Sequence, residues 1–90
     1  MIIKIHSEFA EMEKSAFNRA IGKQIRNTRL KLELTQAELA DKLGLDYQYI
    51  SRLERGQISP TLFWLYDFCS ALEIDIEDFI HELNGYLKST

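Results

Sequence analysis

The stretch 35-TQAELADKLGLDYQYISRLERG-56 holds two short helices and the turn between them. Thr35 is an N-cap: its hydroxyl accepts a hydrogen bond from a backbone N–H that the helix leaves unpaired. Glu38, three residues on, completes a T-x-x-E capping box. Ala37, Leu39, Ala40 and Leu43 form the inward face of the first helix. Gly44 suits the position just past a helix end, where φ is positive and a Cβ is penalised. Asp46 caps a second helix that runs to about Arg55, with Ile50 and Leu53 turned inward, and Gly56 ends it.

The second helix carries more hydrogen-bonding groups than a buried element needs. Tyr47, Gln48, Ser51, Arg52 and Arg55 share one face, and the anchoring of Ile50 and Leu53 makes that face project outward. Two helices joined by a short turn with glycine form the helix-turn-helix signature. Glutamine pairs bidentately with adenine and arginine with guanine in the DNA major groove, where the first residues of such a helix sit deepest. Gln48 and Arg52 are therefore the expected base readers, with Tyr47 and Ser51 as secondary candidates. Tyr49 either packs against the domain or contacts a phosphate.

Upstream, the pattern is helical from about Ser7 to Leu32. Phe17, Ile21, Ile25 and Thr28/Arg29 fall on one face. Gly22 is read as a break between a leading helix near 8–18 and a first core helix near 20–32. The opening MIIKIH alternates weakly and is read as a frayed end or a short strand. Downstream, Ser59 is the expected N-cap and Pro60 the first residue of a helix near 60–72, with Leu62, Leu65, Phe68, Cys69 and Leu72 inward. Asp75 opens a fifth helix whose apolar stripe is Ile76, Phe79, Ile80, Leu83 and Leu87, with Gly85 as a break. The expected fold is all-α: a five-helix domain over 20–80, an N-terminal helical extension over 1–19, and an end of helix five and tail over 81–90.

Ninety residues suit one small domain, of a size that oligomerisation often stabilises further. No apolar run is long enough to span a membrane. The first residues lack a signal peptide's apolar stretch and cleavage site, and the single Cys69 cannot form an internal disulfide. A cytoplasmic, reducing environment is expected. The net charge of −3 hides a division. Residues 14–57 hold nine Lys/Arg against five Asp/Glu, whereas 58–90 hold Lys88 against six acids. A basic half and an acidic half can orient an approaching polyanion. His6 and His81 have no Cys or His at ligand spacing, and 73-EIDIEDF-79 lacks the EF-hand pattern. No nucleophile–base or paired-carboxylate arrangement emerges. Neither metal, cofactor nor catalysis is expected.

Residues 21–80 resemble the XRE family, the helix-turn-helix domain of phage repressors and Cro proteins. The resemblance rests on an ordered set: Ile25 and Arg29, then Thr35-Gln36, Leu39-Ala40 and Gly44. Ile50-Ser51, Glu54 and Gly56 follow, then Leu62, Leu65 and Leu72. It implies a five-helix, usually homodimeric domain that regulates transcription from a palindromic double-stranded operator. By the same resemblance, Tyr47, Gln48 and Arg52 occupy base-reading positions and Gln36 a phosphate-contacting one. Arg55, Gln57, Ser59 and Thr61 lie where the family grips the DNA backbone, and Arg29 and Glu54 where an ion pair ties helix one to helix three. Two departures stand out. Glu33 replaces the glycine that many members carry at the end of helix one. Phe63, Trp64 and Tyr66 stand where the family is often polar, and would cover the N-terminal helix or meet a second subunit.

The expected dimer surface is helix five, through Phe79, Ile80, Leu83 and Leu87. The alternative function keeps the fold but turns it to protein: an interaction adaptor, or the antitoxin of a toxin pair that binds both toxin and operator. A restriction–modification controller is a further subtype within the DNA-binding class.

Overall fold

The computed structural model describes residues 12–88. Five helices and their turns make up this span: α1 Lys14–Lys31, α2 Gln36–Leu43, α3 Tyr47–Glu54, α4 Leu62–Ala71 and α5 Ile76–Lys88. No strand occurs among the described residues. Residues 1–11 and 89–90 lie outside them, and with them the strand-or-frayed reading of MIIKIH, most of the N-terminal extension and the end of the tail.

The caps of α2 and α3 are local chemistry. Thr35 Oγ1 accepts from the Glu38 N–H at 3.0 Å, and the Glu38 carboxylate accepts from the Thr35 N–H at 2.8 Å. Asp46 Oδ1 accepts from the Gln48 N–H at 2.9 Å. Helices α1 to α4 all end in the same device. The residue just past each end takes positive φ: Glu33 at 59°, Gly44 at 68°, Gly56 at 76° and Glu73 at 57°. The next N–H then reaches back to the fifth carbonyl before it, as in Leu34 to Arg29 and Leu45 to Ala40. These are Schellman motifs, two closed by glycine and two by glutamate.

Three expectations about boundaries are corrected. Helix α1 is continuous through Gly22, which is buried and helical. Its lack of a side chain serves packing: a Cβ there would stand 2.4 Å from the Leu53 carbonyl oxygen and 2.8 Å from that of Glu54. Helix α5 is likewise continuous through Gly85. Helix α4 starts at Leu62 with Thr61 as its N-cap, Thr61 Oγ1 accepting from the Trp64 N–H at 3.0 Å. Ser59 does not cap it; its hydroxyl donates to Asn18 Oδ1 on α1. The register of α4 follows from its cap, so Trp64 turns inward and Leu62 is left 66% exposed.

The core gathers Ile21 and Ile25 of α1, Leu39 of α2, Ile50 and Leu53 of α3, Phe68 of α4 and Phe79 of α5. Complete burial of side chains such as Leu39, Ile50 and Leu53 contributes roughly 1.5–3 kcal/mol each. Trp64 stacks on Phe68 with centroids 5.2 Å apart, and Phe68 meets Phe79 edge-on at 5.7 Å. Cys69 belongs to the same core, and burial pushes its thiol pKa up, with Asp75 adding to the effect. The fold thus clamps α3 by its inner residues against α1 and α2 and leaves its other side free.

Candidate nucleic-acid interface

The free side of α3 is the row the sequence singles out. Tyr47 is 53% exposed, Gln48, Arg52 and Arg55 are exposed, and Ser51 is partly so, while Ile50 and Leu53 are sealed beneath them. Arg55 Nε donates to the Ser51 carbonyl at 3.3 Å, which lays its stem along the helix. Among the described residues, the side chains of Tyr47, Gln48 and Arg52 have no hydrogen bond or ion pair. These three project groups that nothing among the described residues satisfies. A glutamine amide offers a donor and an acceptor side by side, and a guanidinium offers a fork of donors.

Behind this row a polar knot fixes the helix. Arg29 Nε donates to Glu54 Oε2 at 2.7 Å and Arg29 Nη2 to Glu54 Oε1 at 2.9 Å. Arg29 Nη1 donates to the Leu34 carbonyl at 2.7 Å, and Gln36 Nε2 to Glu54 Oε1 at 3.1 Å. One carboxylate at the end of α3 therefore holds both α1 and the first turn of α2. Both partners of the ion pair are buried, and the hydrogen-bonded Glu54 raises the Arg29 pKa against the opposing effect of burial.

The residues expected at phosphates are dispersed around the row. Gln36 is partly exposed and engaged with Glu54. Gln57 and Ser59 are exposed on the loop after α3, and Thr61 at the start of α4. The Ser59 and Thr61 hydroxyls already serve Asn18 and the α4 cap. Tyr49 is different: it is half-buried, and its ring packs near Trp64, with centroids 6.3 Å apart.

The expected dimer face needs correction. Phe79 and Leu83 are 1% and 4% exposed and belong to the protein's own core, because the α5 stripe docks on α1 and α4. They leave no surface to a partner. Ile80 and Leu87 are half-buried at the margin. One apolar patch that does face outward lies across α4 and α5, where Leu62, Tyr66, Ile76 and Ile80 line a groove together with Glu77, His81 and Asn84. Phe63, 81% exposed, stands on the outside of α4.

Sequence reasoning missed the polar seam between α1 and α5. The buried Gln24 donates from Nε2 to Glu82 Oε1 at 2.7 Å, Lys31 Nζ lies 3.6 Å from Glu82 Oε2, and Asn27 Nδ2 donates to the Tyr86 hydroxyl. Its signal was present: Gln24 falls beside Ile21, Ile25 and Thr28 on the inward face of α1. Among the described residues no cluster of His, Cys, Asp or Glu is arranged to hold a metal ion, and no helix is long and apolar enough to cross a membrane.

An all-α unit whose second and third helices are joined by a glycine turn, with a capped and anchored third helix exposing a polar row, is a helix-turn-helix domain. The family pattern described as helix-turn-helix matches residues 25–79. The chain belongs to the helix-turn-helix family. It is 35% identical over 63 residues to an uncharacterized transcriptional regulator in the ATPase CF(0) region of Rhodospirillum rubrum, covering 70% of this chain and 58% of that protein. It is 32% identical to the immunity repressor protein of Bacillus phage phi105, covering 69% of this chain and 43% of the repressor. The chain thus spans about half the length of these two relatives. Among solved structures it resembles the restriction–modification controller protein C.Esp1396I, a tetramer in complex with its natural 35 base-pair operator. That likeness has a TM-score of 0.72 at 30% identity and covers 79% of this chain and 93% of the controller.

Proposed function

We propose that this chain is a sequence-specific, double-stranded DNA-binding transcriptional regulator that inserts α3 into the major groove. The observation that carries the proposal is the division of α3. Ile50 and Leu53 are fully buried, while Tyr47, Gln48 and Arg52 are exposed with no partner among the described residues. Ser51 completes the base-facing row. Arg55, Gln57, Ser59 and Thr61 on the α3–α4 side and Gln36 on the α2 side flank the row and contact phosphates. The controller's operator complex supports the same use of the fold.

The working form is a homodimer on a palindromic operator, with two copies of α3 about 34 Å apart. The outward apolar groove of α4 and α5 supports a second copy there. An adaptor or an antitoxin would use the same surface for another protein. The cytoplasm is the compartment this function requires.

Binding to random duplex DNA as a function of salt tests the proposal. Phosphate contacts release counterions, so affinity falls steeply as salt rises. Binding without a salt slope, or no binding, would favour the adaptor.

A further inference from the structure

We propose that the cleft between α1 and α5 binds a free α-amino acid with an aliphatic side chain. The first observation is Gly85. It is exposed, lies inside α5 and does not have a positive φ, so no turn requires a glycine there. A Cβ would meet nothing within 4 Å, so packing does not require it either. Glycine inside a helix is less stable than alanine. What the bare backbone does offer is close approach to a molecule from outside the chain.

The second observation is what surrounds that backbone. Gly85 lines a cavity of about 420 Å³ with Gln24, Lys31, Glu82 and Tyr86. Two opposite charges therefore stand at one opening. The buried Gln24 donates to Glu82 Oε1 at 2.7 Å and so fixes the carboxylate. Glu82 Oε2 lies 3.6 Å from Lys31 Nζ, which is longer than a hydrogen bond, and the Lys31 and Glu82 side chains are 70% and 50% exposed. An ion pair this open is weakly held. The ammonium keeps N–H donors and Oε2 keeps lone pairs for a ligand.

A second cavity, of about 190 Å³, adjoins the first and shares Lys31 and Glu82 with it. Leu32, Ile74 and Phe79 give it apolar walls, and Asp78 adds a further acid to its lining. It is smaller than the roughly 300–1,000 Å³ of sites for drug-sized molecules, so its occupant is a group the size of an amino-acid side chain. A free amino acid matches the whole arrangement. Its carboxylate meets Lys31, its ammonium meets Glu82, its backbone end rests against Gly85, and its side chain enters the apolar cavity. A simple anion or cation would engage one of the two charges and leave the apolar cavity unused. The site is separate from the α3 row and stands whether or not α3 reads DNA.

Thermal melts and titration calorimetry of the full chain with free L-valine and L-leucine test the proposal. At least one should bind saturably in the millimolar range and raise the melting temperature. Free glycine, isoamylamine and isocaproate each lack one part of L-leucine: the side chain, the carboxylate or the ammonium. Each should bind roughly 10-fold more weakly or worse. Gly85→Ala should raise the melting temperature without ligand and yet weaken amino-acid binding, a combination that a purely structural glycine does not give. Glu82→Gln leaves Gln24 an acceptor and should also weaken binding. If neither amino acid binds saturably, the proposal is overturned, and a loss of dimer in Gly85→Ala would then assign the bare backbone to a contact between copies. If isoamylamine or isocaproate binds as tightly as L-leucine, the cleft takes a single charge and the amino-acid assignment is wrong. If Gly85→Ala and Glu82→Gln both bind as the wild type does, the site lies elsewhere.

Discussion

Arg29 and Glu54 face each other as a fork on a fork, with N···O distances of 2.7 and 2.9 Å in a setting where both side chains are more than nine-tenths buried. The pair spans from α1 to the last residue of α3, and Glu54 also accepts from Gln36. Removing either partner leaves the other charge buried and unpaired. Arg29→Ala and Glu54→Ala should each lower stability by about 3–5 kcal/mol in denaturant titrations. The double replacement Arg29→Met with Glu54→Leu should cost clearly less than the sum of the two single changes. Additive costs would show that the pair is not a unit.

The same glycine-to-alanine change should have opposite effects at two sites. At Gly85, within α5, a Cβ meets nothing within 4 Å. Alanine there removes the entropic cost of glycine in a helix and should stabilise by about 0.5–1 kcal/mol. At Gly22 a Cβ would press on backbone carbonyls, which cannot rotate away as a side chain could. Gly22→Ala should push α1 off the end of α3 and destabilise by about 1–3 kcal/mol, the range for overpacking. Thermal melts of the two variants should move in opposite directions.

These residues also mark how far the sequence could be read. The Thr35–Glu38 box, the Asp46 cap and the Gly44 turn were legible because donor, acceptor and backbone twist lie within a few residues of each other. The outward row of α3 was legible for a related reason, since helical spacing and two apolar anchors decide it. Gly22 and Gly85 look alike locally, and what distinguishes them is the approach of a distant helix end. Ser59 and Thr61 are both good caps flanking Pro60; the tertiary contact of Ser59 with Asn18 goes with Thr61 capping α4. The stripe Phe79, Ile80, Leu83 and Leu87 announced a buried face without saying whether the protein or a partner buries it.

Glu33 and Glu73 occupy left-handed positions that glycine fills after α2 and α3. An L-residue there bears steric strain of about 1–2 kcal/mol, offset in part by the smaller freedom it has when unfolded. Glu33→Gly should therefore raise stability by about 0.5–1 kcal/mol, and Glu73→Gly by a similar amount. Both residues are exposed, so no packing is lost. A fall in the melting temperature of either variant would show that the glutamate side chain contributes more than the strain removes.

Glu82 couples the α1–α5 seam to pH. The hydrogen bond from Gln24 lowers its pKa first and foremost, burial opposes that, and Lys31 and His81 add to the lowering. A carboxylate whose folded pKa is depressed contributes stability that is complete above its ordinary range near pH 4.3 and disappears as pH falls through the folded value. The stability difference between wild type and Glu82→Gln should therefore be flat from neutral pH down to about pH 5 and shrink below that. Lys31→Met should reduce the difference, and Gln24→Leu should reduce it more. A difference that grew on acidification would carry the wrong sign for this seam.

The groove of α4 and α5 gives the dimer its test. Leu62 and Tyr66 are 66% and 55% exposed, so neither supports the core of its own chain. They stand beside Ile76 and Ile80, and together the four make an outward apolar surface of the kind that marks an interaction site. A charge there costs little in the monomer and much in a dry interface, where it would be desolvated without a partner. Leu62→Glu and Tyr66→Glu should leave the circular dichroism spectrum and melting behaviour of the monomer unchanged and shift sedimentation from dimer to monomer. Binding to a two-half-site operator should weaken in step, because the second α3 is no longer delivered with the first. Affinity for a single isolated half-site should hold. If both variants sediment as dimers, the second copy sits elsewhere and the groove is open to a different protein.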